Sequence, residues 1–339
     1  MKMAAKLLWT LGLLMLALSV TFYAITAQVV LRGFHDVEYD RDRVNMQRVL
    51  NALDVQQGQL LSALADWANW DATYRFVLDK NAEYRRENLV PTAFRDLHVE
   101  CIIFVNTTGT IVWANSLSDN SQDYVPPPAS LLALLEDEAL LRRFAPEQEY
   151  IVGYISLESG PMALGSRPIL TSEAIGPANG VLVMGRRIDS ETISALADSL
   201  RLDLRAFPVR EPPDDPRIDE VISALSRGST SERVDVDSMV AHTYALLRDL
   251  KGEPLLLLRV AMPRDIYQLG LRSCILLAGL FAAAGALFTT ILIVFQRRMV
   301  ILRIQSLGRQ VGHVDLDDER PQRVAMDGSR DELTTLADD

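Results

Sequence analysis

Two stretches of this chain carry no charged residue, Leu7 to Leu31 and Cys274 to Phe295. A helix of roughly 20 apolar residues crosses the hydrocarbon core of a bilayer, and each stretch supplies that length. The predicted layout is a cytoplasmic segment 1–6, a membrane helix 7–31, an external region 32–273, a second membrane helix 274–295 and a cytoplasmic segment 296–339. Basic flanks orient it: Lys2 and Lys6 precede the first stretch, and Arg297, Arg298, Arg303 and Arg309 follow the second without an acid among them. Positive flanks stay in the cytoplasm, so both termini are expected inside. A cleavable signal peptide is the alternative for the first stretch, with Leu7 to Val20 as its apolar part and Ala24 and Ala27 after it. The uninterrupted apolar length favours retention.

Charge and residue usage exclude several classes. The formal charge of −11 and the lack of a sustained basic patch argue against nucleic acid as a partner. Two cysteines, Cys101 and Cys274, cannot form a disulfide framework, and Cys101 reads as a small core residue. His35, His98, His242 and His313 stand apart from one another and from cysteine, so neither a metal site nor a cofactor is expected. The external region also lacks a nucleophile elbow and a histidine-based triad neighbourhood, which leaves no catalytic residue to nominate.

The external region opens with apolar residues at helical spacing from Val37 to Tyr74, including Val49, Leu50, Leu53, Leu60, Leu61, Leu64 and Trp67. No proline interrupts them, so a long helix is predicted to leave the first span and reach Tyr74. "ECIIFVNTTGTIVWAN" reads as a hairpin about a Thr108-Gly109 turn, and "LLALLEDEALLRRF" as a helix after the break "YVPPPAS". "EYIVGYISL", "GPMALGSRPIL" and "GVLVMGRRI" suggest an antiparallel meander. Asp189 or Ser190 can cap a helix running to Leu200. The proline-rich "PVREPPDDPR" marks an internal boundary, and further strands follow it, the last two joined at Lys251-Gly252. The fold class expected is α+β: an antiparallel sheet with a long N-terminal helix, and a second, membrane-proximal sheet over about 208–273 if the strands after the boundary form one.

One cluster stands out, "ADWANWDATYRFV". Along an unbroken helix Leu60, Leu64, Trp67, Asp71 and Tyr74 fall on one face, which places the Asp71 carboxylate among apolar groups. A charge so placed must be paired, hydrogen-bonded or protonated. Trp67, Trp70 and Tyr74 would surround it with amphipathic rings. Two uses fit. A small amine or cation could take both the carboxylate and the ring faces; or the cluster is an anchor tying the helix to strand backbone, the commoner fate of aromatic stripes.

"DWANWDATYRFV" with "NAEYRRENL", the hairpin "FVNTTGTIVWA", and "SRPILTSEAIGPANGVLVMGRRID" together resemble the CHASE domain of type four, an extracytoplasmic sensory module of bacterial and archaeal signalling receptors, over roughly Leu60 to Phe207. The resemblance implies a PAS-like or Cache-like sheet between two membrane helices, in a bacterial cytoplasmic membrane, sensing an external stimulus and regulating a cytoplasmic output. Such outputs are often cyclic di-GMP turnover enzymes or histidine kinases. It carries over Trp70 and Asp71, and the stretches holding Arg167 and Arg186. A guanidinium there could grip a carboxylate ligand through its bidentate fork, or pair with the domain's own acids.

Beyond the second span, Val300, Ile304, Leu307, Val311 and Val314 follow the four-three spacing of a coiled-coil seam, which points to a homodimer. A connector and the restart "SRDELTTLADD", opened by Asp331 and Glu332, resemble a HAMP linker, although no proline opens its first helix. An amphipathic juxtamembrane helix is the alternative. No cyclase, kinase or nucleotide-binding motif follows, so the output is expected from outside this sequence. The functional expectation is a transmembrane receptor without a catalytic domain of its own. The alternative is a membrane-anchored assembly protein that senses no small molecule.

Overall fold

The computed structural model describes residues 2–118, 123–137 and 149–296. It divides into two compact units, one made by the chain up to Asp36 and from Ile266 onward, the other by Val37–Asp265.

The first unit contains the N-terminal part of α1 (Lys2–Ala68) and most of α8 (Asp265–Gln296). Both helices are long and apolar enough to cross a membrane. Their apolar side chains face outward, Leu13, Leu16, Leu276 and Leu280 each being more than half exposed. Three of the hydroxyls among them bond back within the helix: Thr21, Thr289 and Thr290 donate to the carbonyls of Ala17, Gly285 and Ala286 at 2.7 to 2.8 Å. That back-bonding lets a polar side chain sit where no water is available. Phe22 meets Phe281 edge to face, centroids 5.1 Å apart.

The second unit is an α+β body with two antiparallel sheets. The larger sheet holds β1 (Cys101–Val105), β2 (Ile111–Leu117), β3 (Tyr124–Val125), β4 (Ile151–Leu157), β5 (Gly160–Pro168) and β6 (Val181–Arg187), in the order β3-β2-β1-β6-β5-β4. The expected hairpin and meander are both present. Asn106 builds the hairpin turn, its side-chain oxygen accepting from the backbone N–H of Thr108 and Thr110, while Gly109 takes the positive φ of 85° the turn demands. Strand β1 is buried throughout, which explains its unbroken apolar run. Its Ile102 and Phe104 face one core; Cys101, Ile103 and Val105 face another, shared with Leu131 and Leu135 of α5 (Ala129–Asp137).

The smaller sheet holds β7 (Asp203–Pro208), β8 (Glu232–Asp235), β9 (Val240–Arg248) and β10 (Pro254–Pro263), in the order β7-β10-β9-β8. Asp249 shapes the β9–β10 turn by accepting from the N–H groups of Lys251 and Glu253 at 2.9 Å. Asp189 caps α6 (Ser190–Leu200), its carboxylate accepting from the Thr192 N–H at 2.8 Å. Helix α7 (Ile218–Ser226) covers one face of the sheet through Ile218, Val221 and Leu225. One expectation needs correcting here. Residues 208–217 do not separate the two sheets, because β7, which precedes them, pairs with β10 from Asp203↔Ala261 to Pro208↔Leu256.

Helix α1 serves both sheets. Met46, Val49 and Leu53 pack with Leu204, Leu256, Leu258, Val260 and Met262 of the smaller sheet. Leu60, Leu64 and Ala68 pack with Ile102, Phe104, Leu182 and Met184 of the larger. The helix approaches the larger sheet so closely at Gly165 that a Cβ there would lie 2.4 Å from Leu64 Cδ1.

Candidate functional site

The long helix stops before the aromatic cluster is complete. α1 ends at Ala68, Trp70 is extended at φ −134° and ψ 126°, and α2 (Asp71–Asp79) begins afresh. The interruption comes from a distant segment. The Leu170 N–H donates to the Ala68 carbonyl at 3.0 Å, and Asn69 bridges Leu170 in parallel. A helix end leaves carbonyls without intrahelical partners, and the N–H of Leu170, just past the end of β5, satisfies one of them here.

This break corrects the expected place of Asp71. The side chain is exposed at the first turn of α2 rather than set on the apolar face of one continuous helix. Asp71 and Ser172 form a reciprocal clasp: the Ser172 N–H donates to Asp71 Oδ1 and the Asp71 N–H donates to Ser172 Oγ, both at 3.0 Å. A carboxylate also suits the positive end of the helix dipole. Tyr74 continues the clasp, its carbonyl accepting from Asn179 Nδ2 at 2.6 Å and its hydroxyl donating to the Pro177 carbonyl at 3.3 Å. The loop between β5 and β6 is thus fastened to the start of α2.

The rings form a connected layer. Trp67 meets Trp70 edge to face at 6.3 Å, Trp70 meets Tyr84 at 5.7 Å, and Tyr84 stacks on Phe76 at 4.5 Å. Tyr84 belongs to α3 (Ala82–Asn88), and its hydroxyl shares a 2.7 Å hydrogen bond with the buried Thr73. Burial pushes the Tyr84 phenol up to about 12, so it stays neutral. Trp70 is the exposed member, at 37%.

Arg167 and Arg186 do not converge. Arg167 lies beside Leu182 and Arg186 beside Ala163 in the β5–β6 ladder, toward opposite ends of one face. Arg167 pairs with the exposed Glu149 at 3.6 Å, and Arg186 Nε donates to the His98 carbonyl. Burial holds the Arg186 guanidinium below its ordinary pKa. A groove of about 790 Å³ lies elsewhere, between α6 and β7, with Arg187, Ser194, Arg205 and Phe207 on its walls. The seam residues Val300, Ile304, Leu307, Val311 and Val314, and the linker residues Asp331 and Glu332, fall outside the described residues.

A second charged constellation was not anticipated. Glu38 is wholly buried, Asp42 is 1% exposed, and both contact Arg233, at 2.7 Å and 3.0 Å. Arg264 reaches Glu38 at 3.3 Å and Asp235 at 3.2 Å; Arg233 also reaches Asp235 at 3.1 Å. At the solvent side Arg41 pairs with Asp265 at 2.6 Å and donates to the Pro263 carbonyl. Burial raises the Asp42 carboxyl against the opposing pull of Arg233 and Arg41. The signal was in the sequence, since Glu38 and Asp42 prolong the stripe of Met46, Val49 and Leu53 at helical spacing.

Comparison with known proteins meets the expectation drawn from the quoted residues. The CHASE4 domain model matches residues 52–206. The chain is also 25% identical over 338 residues to the methanogenesis regulatory histidine kinase FilI of Methanothrix harundinacea (strain 6Ac). That alignment covers 96% of this chain but 36% of the relative, so the chain spans about a third of the kinase's length. Among solved structures, the periplasmic domain of Vibrio cholerae LuxQ aligns at TM-score 0.44 and 13% identity, over 66% of this chain and 99% of that one. The extracellular domain of the putative histidine kinase vpHK1S-Z8 aligns at 0.42 and 12% identity, over 72% and 95%.

Proposed function

We propose that this chain is the sensory and membrane-spanning part of a two-pass receptor. Its Val37–Asp265 body is exposed outside a cytoplasmic membrane, detects an external stimulus, and passes it through α8 to a cytoplasmic output. The observation that carries this reading is the body's insertion: Val37 follows one membrane-length apolar helix and Asp265 opens the other, with the CHASE4 match between them. An output of the histidine-kinase type accords with the name of the FilI relative; cyclic di-GMP turnover is the second candidate. The residues after Gln296 would act as a HAMP-like linker in a homodimer, with both chain ends in the cytoplasm.

Within the body we assign the Trp67–Tyr74 cluster to anchoring. The reciprocal bonds of Asp71 with Ser172 and the ring layer over Tyr84 and Phe76 favour this over an amine pocket, because the carboxylate is engaged by backbone. A ligand-sized space lies instead beside α6.

The test fuses residues 1–339 to a histidine-kinase core and follows autophosphorylation in membranes. Inserting one to four alanines directly after Gln296 rotates the output relative to α8 by about 100° per residue. A relay gives output that rises and falls with the insertion. Output indifferent to every insertion sinks the receptor reading and leaves an assembly role.

A further inference from the structure

The two sheets follow one winding. In the larger, β1 is followed across the sheet by β6, β5 and β4; in the smaller, β7 is followed by β10, β9 and β8. Each places its first strand beside its last, with a helix, α5 or α7, between that first strand and the final three in sequence. The larger sheet also seats β2 antiparallel on the other side of β1, from Cys101↔Ser116 to Val105↔Ile111. Among the described residues no strand takes the corresponding seat beside β7, since the chain leaves Pro208 through a proline-rich stretch into α7.

That open edge runs along the groove beside α6, with Leu204, Ala206 and Pro208 on one wall and Ile193 and Ala197 on the other. The ladder decides which backbone groups face it. In an antiparallel pair, successive residues turn their N–H and C=O alternately toward the partner strand and away from it. The Val209 N–H donates to the Leu255 carbonyl of β10 at 3.2 Å, so Phe207 and Arg205 also face β10, while Pro208, Ala206 and Leu204 face outward. Leu204 agrees with this phase, its N–H donating to the Leu202 carbonyl at 3.0 Å. Pro208 has no N–H, and its carbonyl accepts from the Glu211 N–H at 2.9 Å. The edge is closed at both ends. At its middle, no turn or loop bond among the described residues reaches the Ala206 N–H, the Ala206 carbonyl or the Leu204 carbonyl. Open strand edges pair with other chains, and a short opening between two closed ends fixes the register of what it accepts.

Side chains define what fits. A residue paired with Ala206 points to the same side of the sheet, where Ala206 packs against the core of Ile193, Leu196 and Leu204; an apolar side chain suits it. On the other side Arg205 stands directly opposite Arg259 of β10, and like charges so placed repel. Asp203, 3.7 Å from Arg205, offsets part of that repulsion, and a carboxylate across the open edge would offset more. Phe207, part-buried on the same side, calls for an apolar neighbour.

We propose that β7 is a docking edge for an extended segment of a partner protein, which adds antiparallel at Ala206 and presents an apolar, an apolar and an acidic residue, in that order, opposite Phe207, Ala206 and Arg205. The seat that β2 fills in the larger sheet is filled in the smaller one by another chain. The inference goes beyond the receptor reading and draws on it only for purpose, the partner then being the stimulus.

The experiment titrates the full chain in lipid nanodiscs with the capped peptide acetyl-Thr-Val-Val-Glu-Thr-amide, read by calorimetry and by exchange of the Ala206 amide. Saturable binding below ~1 mM, with slowed exchange at Ala206, is expected. The register directs the N–H of the second valine to β7 and that of the glutamate away from it. Methylating the second valine's nitrogen should therefore weaken binding roughly tenfold, and methylating the glutamate's by less than about threefold. Ala206→Pro deletes only the outward N–H, which an edge strand tolerates, so β9 amides should stay protected while binding falls roughly tenfold. Arg205→Glu should weaken the peptide and favour one carrying lysine in place of glutamate. No binding at ~1 mM, equal losses from the two methylations, or full binding to a folded Ala206→Pro overturns the docking edge; where that variant does not fold, the methylation pair decides. Exchange at Ala206 that is slow without peptide and quickens on dilution gives the edge to a second copy of this chain and overturns the partner. The kinase fusion keeps the two readings apart. Peptide binding with unchanged autophosphorylation keeps the edge and removes the receptor; output that varies with alanine insertion while no peptide binds keeps the receptor and removes the edge.

Discussion

Replacing Gly165 by alanine tests how tightly α1 is seated on the larger sheet. The added Cβ would stand 2.4 Å from Leu64 Cδ1 and 3.6 Å from two carbons of Leu60. Carbon atoms in contact prefer about 3.5–4.0 Å, so roughly an ångström must be found. Leu64 cannot yield it freely, since the side chain is wholly buried among Ile102, Phe104, Leu182 and Met184. Overpacking of this size costs about 1–3 kcal/mol. Leu64→Ala alone opens a cavity and costs about 2–5 kcal/mol. The double variant should recover part of both losses, because the new methyl enters the space the leucine leaves, and the coupling should exceed ~1 kcal/mol. Urea unfolding of the Val37–Asp265 body reads all three, and thermal midpoints should fall by about 2–4 °C per kcal/mol for a body of this size. If Gly165→Ala is neutral, or the two changes add without coupling, then α1 does not sit on this sheet as described.

Asp71→Ala and Ser172→Ala should each cost about 0.5–1.5 kcal/mol and the pair less than the sum, as for a reciprocal clasp; Asp71→Asn, which keeps an acceptor, should cost less. A strictly additive cycle in urea denaturation would remove the clasp. Asp189→Ala should cost about 1 kcal/mol at neutral pH. Burial alone would raise the Asp189 carboxyl, but its bonds with Thr192 and the nearby Arg187 outweigh that and hold it below the usual range. Its contribution is therefore complete above about pH 3.9 and lost as pH falls through the lower folded value, so the penalty should be equal at pH 5 and 7 and fade only in stronger acid. His242 is held low by burial and then by Arg259, so its contribution is complete above about pH 6.5 and lost as pH falls through the folded value. His242→Gln should flatten the decline in midpoint on that acidic side, and an unchanged slope would refute it.

Local pattern carried most of the architecture. The apolar spacing of Met46 to Leu64, the Asn106 turn, the meander and the Asp189 cap depend on residues near one another in sequence, and each was legible there. The end of α1 at Ala68 was not, because nothing between Leu64 and Tyr74 breaks a helix. Its cause is Leu170, a hundred residues onward. The place of Asp71 was hidden for the same reason, since an unbroken helix buries it and the real one exposes it. The burial of Glu38 and Asp42 was legible as a continuation of the apolar stripe of α1, but their partners were not, because Arg233 and Arg264 lie about two hundred residues onward and meet them only in space. The place of β7 likewise rests on pairing with β10, which no local window contains.

The double service of α1 also bears on how such a body can change over generations. Leu53 and the residues before it complete one sheet, and Leu60 and those after it complete the other. The smaller sheet cannot be exchanged between genes as a single contiguous cassette, because it borrows part of its core from helix residues that lie before the whole of the larger sheet. Recombination that keeps the body intact must carry both pieces together, or graft within the helix between Leu53 and Leu60 and preserve its phase.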